Sequence, residues 1–158
     1  MQGVEIKEEQ DVQIDMNVSS YIPDSYIENS SQKIEIYQNI ALCRTEEDIQ
    51  NVIDEIIDRY GPMPKEVENL LEIARIKELC KKAGVHKIAQ KPESIVFYIE
   101  ETKCHMENMN MLVQTYGNFI RFSAGANPYI TLKLKQQDDA KTLKQTKIFL
   151  ELFSKEGE

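Results

Sequence analysis

The chain has 158 residues and a mass of 18.3 kDa, with 41% hydrophobic and 29% charged residues. That is enough for one globular domain with a real core, and it excludes a disordered chain. Acids outnumber bases 27 to 19, a net charge of −8, and the excess lies entirely in residues 1–60, which carry −10 against +2 for residues 61–158. Such a chain is a poor autonomous binder of duplex DNA, whose phosphates need clustered Lys and Arg. An acidic half points instead to a basic protein surface as partner.

In residues 4–18, Val4, Ile6, Val12, Ile14, Met16 and Val18 alternate with polar side chains, which predicts an extended strand. Residues 19–31 are polar and contain Ile22-Pro23-Asp24, a connection. The period then changes. Ile34, Tyr37, Ile40 and Ala41 fall on one helical stripe, with Leu42 beside it. Thr45 to Asp48 has the spacing of a capping box. It opens a helix whose stripe is Ile49, Val52, Ile53, Ile56, Ile57 and Tyr60. Gly61 suits a left-handed residue past the helix end, and Pro62 stops propagation. Pro64 opens a third helix, with Val67, Leu70, Leu71, Ala74, Leu79, Cys80 and Ala83 on one broad face, closed by Gly84.

After Gly84 the texture is strand-like. Residues 85–90 form a short strand. Ser94 to Ile99 is nearly all apolar, as in a strand covered on both faces. Residues 106–116 read as a helix, and 118–122 and 130–134 as a hairpin turned at Gly125 to Pro128. Asp138 or Asp139 caps a last helix with Leu143, Phe149, Leu150, Leu152 and Phe153. The expected fold is α+β: an N-terminal extended arm and connection (1–32), a helical half (33–84), and a small, mainly antiparallel sheet closed by a C-terminal helix (85–158), all in one domain.

Catalytic patterns are missing. The six glycines match neither a phosphate-binding loop nor a dinucleotide fingerprint, and HExxH, CxxC and GxSxG do not occur. Cys104-His105 is an adjacent pair, poorly placed to converge on one metal. Three scattered cysteines (Cys43, Cys80, Cys104) leave one unpaired in any disulfide scheme, which suits a reducing cytoplasm. No apolar run approaches the ~20 residues that span a bilayer, and the acidic start is unlike a signal peptide. A binding or regulatory domain is expected rather than an enzyme.

One segment is recognisable. Asp54 to Pro64 (DEIIDRYGPMP) follows Tyr21-Ile-Pro-Asp24 and the Ile36-Tyr37 and Ile40-Ala41 helix, and precedes Val67 to Lys77 (VENLLEIARIK). In this order the residues resemble the C-terminal domain of bacterial transcription-repair coupling factors. The resemblance implies a piece of a larger ATP-driven DNA translocase that displaces stalled RNA polymerase and recruits the excision-repair protein UvrA. ATP and magnesium would belong to motor domains elsewhere, and this chain would hold no cofactor and no metal. Its partner would be a UvrB-like module of the same protein, whose UvrA-binding surface it hides. Through that partner it would act on UvrA, RNA polymerase and DNA, with no membrane involved.

Two acids carry that implication. Glu55 and Asp58 lie three apart, off the apolar stripe, with Asp54 adjacent. By residue type they are a solvated acidic face. By resemblance they match positions that meet basic residues of the UvrB-like module, where an arginine fork could hold a carboxylate. Arg59 could pair with Glu55 or join the interface. Tyr60, Gly61 and Pro64 are expected to fix the corner between two helices. Lys133, Lys135, Lys141, Lys144 and Lys147 raise a second possibility, direct DNA contact, against a solvated edge and helix face. A stand-alone acidic adaptor working through residues 1–60 is a third. Gln38-Asn39 stands where relatives carry basic residues, which argues against phosphate binding by that helix.

Overall fold

The computed structural model describes residues 12–100, 106–135 and 137–154. Local capping sets where most helices begin. The Asn29 side chain accepts from the Gln32 amide and opens α1, Ser30–Ala41. Thr45 and Asp48 exchange both bonds of the capping box and open α2, Glu46–Tyr60. The amides of Arg44 and Thr45 hold the Asp48 carboxyl below its ordinary range. Pro64 precedes α3, Lys65–Ala83, with its carbonyl accepting from Val67 and Glu68. Gly84, left-handed at φ 78°, closes it. Then come α4, Met106–Tyr116, a 3-10 turn over Gly117–Phe119, and α5, Asp139–Phe153, capped by the Asp138 side chain.

Five strands make one sheet: β1, Gln13–Asp15; β2, Val85–Lys91; β3, Ser94–Ile99; β4, Ile120–Ser123; and β5, Tyr129–Lys133. Their order is β1-β2-β3-β5-β4. Only β1 and β2 are parallel, and every other pair is antiparallel. The fold is α+β, as expected from the order of periods along the chain. Among the described residues of the arm, Gln13–Asp15 is strand. It pairs over three residues, while residues 4–11 lie outside the described residues, as does the Cys104-His105 pair.

Three expectations need correction. First, α1 buries Ile36 and Ile40, whereas Ile34 and Tyr37 are 56% and 38% exposed. The contact with α2 selects the i, i+4 pair that points between the helices, and the apparent stripe was phased toward the wrong side. Second, Ile57 is 44% exposed, so the buried stripe of α2 narrows to Ile49, Val52 and Ile56. Third, the apolar run of β3 is covered by helices on one face only, while on the other Val96 is buried beside Ala89 of β2. Helices α3, α4 and α5 all bury their apolar residues with Ile95, Phe97 and Ile99 on one face. The run reflects a central strand, flanked by β2 and β5.

The apolar side chains form two cores. One joins Ile22, Ile27, α1, α2 and the first half of α3 through Val67 and Leu71. The other joins the sheet, α4, α5 and the second half of α3 through Ile76, Cys80 and Ala83. Helix α3 is therefore a spine with a different face buried at each end, which explains its broad apolar pattern. Polar ties reinforce the joint. Glu72 on α3 accepts from Lys147 on α5 at 2.9 Å and pairs with Arg75, which forks onto Glu46 of α2 at 2.9 and 3.0 Å. Burial pushes the Glu72 carboxyl up, but the hydrogen bonds and charges of Lys147 and Arg75 outweigh it and hold it low. Among the described residues no helix is long and apolar enough to cross a membrane.

Candidate functional site

The core of α2 takes Ile49, Val52 and Ile56. At 100° per residue the opposite side of the helix carries Glu47, Asn51, Asp54, Glu55 and Asp58. This side faces solvent, and all five residues are exposed. Asp54 accepts from the Gln50 amide group at 2.9 Å. Asp58 has no ion pair among the described residues. Ile57 lies beside Asp54 and Asp58, an apolar side chain on an acidic helix.

Glu55 and Arg59 do meet. Their closest approach is 3.7 Å, and the same guanidinium reaches Glu35 of α1 at 4.0 Å. The Arg59 guanidinium also lies 5.2 Å from the centre of the Tyr60 ring. Arg59 is thus held at the α1–α2 seam by two carboxylates and a ring, all weak contacts at an exposed site. Glu35 reaches this seam because α1 turns Ile36 and Ile40, not Ile34 and Tyr37, into the core. The spacing of Ile57 continues the α2 stripe, yet its side chain faces out.

Below this face the chain turns a fixed corner. Gly61 has φ 87° and ψ −168°, a region essentially reserved for glycine. It is not the left-handed helical conformation expected from the sequence, and it demands glycine more strictly. The Gly61 amide donates to Ile57, and its carbonyl accepts from the Tyr26 hydroxyl at 2.6 Å. The Tyr26 and Tyr60 rings are 6.0 Å apart. Burial pushes the Tyr26 hydroxyl up. The Tyr60 hydroxyl is buried without a hydrogen-bond partner among the described residues. Tyr60 and Gly61 fix the end of α2, and Pro64 opens α3.

Among the described residues no group of three or more His, Cys, Asp or Glu could hold a metal. Cys43 and Cys80 are free and buried, and burial pushes both thiols up, away from nucleophilic thiolates. The lysine face of α5 is also reduced. Lys147 is engaged by Glu72 and Lys141 lies 3.9 Å from Asp138, while Lys141 and Lys144 both remain exposed.

Comparison with known proteins places the chain. A family model described as the TRCF domain matches residues 16–109. The transcription-repair-coupling factor of Staphylococcus haemolyticus is 42% identical over 94 residues, covering 57% of this chain and 8% of that protein. That of Borreliella burgdorferi is 30% identical over 129 residues, covering 81% of this chain and 12% of that protein. The chain thus spans about a tenth of the length of these relatives. A crystal structure of the C-terminal domain of a transcription-repair coupling factor superposes with a TM-score of 0.81 at 22% identity, over 90% of this chain and 91% of that one.

Proposed function

The chain belongs to the TRCF domain family, and from that premise we propose that it is an autoinhibitory clamp within a transcription-repair coupling factor. The clamp covers the UvrA-binding surface of the UvrB-like module, so that UvrA finds only the fraction of molecules in which it has opened. The parent is a cytoplasmic, ATP-driven DNA translocase that displaces stalled RNA polymerase and hands the lesion to excision repair. This chain carries no step of that motor.

One observation supports the reading above the others: the outward face of α2. Glu55 and Asp58 are exposed and Ile57 stands beside them, on a helix whose end is fixed by the Tyr26–Tyr60–Gly61 corner. A partner offering arginine gains charge-assisted bonds to carboxylates that need little reorganisation. Ile57 offers apolar area within a polar rim. The contact need not be strong, because the two parts share one chain and meet at high effective concentration.

The test is titration calorimetry of this domain against the separately expressed UvrB-like module, with UvrA binding measured in the full-length protein. Saturable binding lost in Glu55→Lys/Asp58→Lys, with UvrA binding raised by the same double change, is expected. Unchanged UvrA binding in a well-folded full-length double mutant rejects the clamp.

A further inference from the structure

The sheet has a second face, and it is chemically unlike the rest of the molecule. The registers Ile88↔Phe97 and Phe97↔Ile130 put those residues toward the helices. Alternation then sends Lys87, Tyr98, Tyr129, Thr131, Lys133 and Arg121 to the other side. A β-bulge between Val85 and Lys87 adds one more. It keeps Val85 in the core while His86 and Lys87 both turn outward onto Tyr98. The His86 and Tyr98 rings are 6.2 Å apart, and Lys87 Nζ lies 5.5 Å from the Tyr98 ring centre. Tyr129, 36% exposed, sits 5.7 Å from Tyr98 on the next strand. Lys133 and Arg121 are exposed beyond it. The carboxylate that the strands add to this face is Asp15, on the β1 edge.

We propose that this face is a binding platform for single-stranded nucleic acid, with bases stacked on Tyr129 and Tyr98 and phosphates met by Lys87, Lys133 and Arg121. Paired aromatic rings on an antiparallel sheet, ringed by cations, suit unstacked bases. A duplex hides its base faces and gains only the charges. An acidic protein segment would likewise use the lysines but not the rings. The overall charge of −8 is no obstacle, because the acids concentrate in residues 1–60, which hold α1, α2 and, of this sheet, the edge strand β1 alone. It does make the affinity modest and strongly dependent on salt. The lysines that recur along α5, Lys141, Lys144 and Lys147, have no surface aromatics among them. The rings and cations come from four strands and meet only in the sheet.

The experiment is fluorescence anisotropy of a labelled oligothymidylate of about twelve nucleotides with the 158-residue chain at low salt. A duplex of equal length and polyglutamate serve as competitors. Saturable binding is expected, with the single strand preferred. Tyr129→Ala weakens it about five- to tenfold, while Tyr129→Phe keeps it. Lys87→Glu/Lys133→Glu weakens it and lowers the log–log salt slope by about 1.4. Lys144→Glu on α5 leaves it unchanged. Circular dichroism checks that each variant is folded. The proposal is overturned by no saturable binding of the single strand, by equal binding in folded Tyr129→Ala, or by polyglutamate competing as well as the oligonucleotide.

Discussion

The two cores solve the same problem with different materials. The helical core is aliphatic: Ile22, Ile27, Ile36, Ile40, Ile49 and Ile56 dominate it, and its tyrosines are only partly buried. Apart from α3 it is assembled by neighbours in sequence. The sheet core is built around aromatic rings from distant segments. Phe97 of β3 stacks on Phe149 of α5 at 4.0 Å, and Phe153 and Tyr116 pack around it. The consequence is a division of labour. The helical half is a thin layer that can offer α2 to a partner along its whole outer side. The sheet half supplies depth, and it anchors the spine α3 on which the helical half rests.

Substitutions can break or sharpen this contrast. The largest effect is expected for Phe149→Ala, which removes a fully buried ring from three aromatic contacts. It should cost about 3–5 kcal/mol in chemical denaturation. Ile56→Ala in the helical core should cost about 2–4 kcal/mol. Because α3 runs through both cores, both variants should shift one common transition. Two separate transitions by far-ultraviolet and tyrosine signals would show that the halves unfold independently.

Gly61→Val tests the corner. Nothing lies within 4 Å of a Cβ built there, so the cost is one of backbone strain at φ 87°. About 1–3 kcal/mol of stability should be lost. A loss as small as that of an ordinary surface change would mean that the corner relaxes freely.

The Glu72–Lys147 tie joins the halves electrostatically. The Glu72 carboxyl is held below its ordinary value of 4.5, so its contribution is present above that pH and is lost as pH falls through the lowered value. Lys147→Ala should cost about 1 kcal/mol at neutral pH. It should also flatten the acid side of the stability profile, measured by denaturation from pH 7 down to about pH 3. The smallest effect belongs to Tyr60→Phe. The buried hydroxyl has no hydrogen-bond partner among the described residues, so its removal should change stability by less than about 0.5 kcal/mol, or raise it.

Much of this was legible from residue order. The capping box at Thr45, the glycine stop at Gly84, the strand texture after residue 84 and the hairpin β4–β5 all follow from short-range chemistry. So did the exposure of Glu55 and Asp58 and their neighbour Arg59. What failed was phase. In α1 the isoleucines at 34, 36 and 40 stand on two sides of the helix, and in α2 Ile57 flanks the arc of Ile49, Ile53 and Ile56, so the spacing admits more than one phase. Only the partner helix decides which isoleucine is buried.

The sequence by itself determined the order of helices and strands, the caps of α2, α3 and α5, which half carries the acids, and the family to which the chain is related. Those depend on interactions within a few residues, or on residue order alone. The tertiary structure decided that α3 serves two cores, that Lys147 is drawn from the lysine face to Glu72, and that four strands bring tyrosines and cations to one open surface. Those depend on contacts between residues up to 75 positions apart, and no local period encodes which distant segment will arrive.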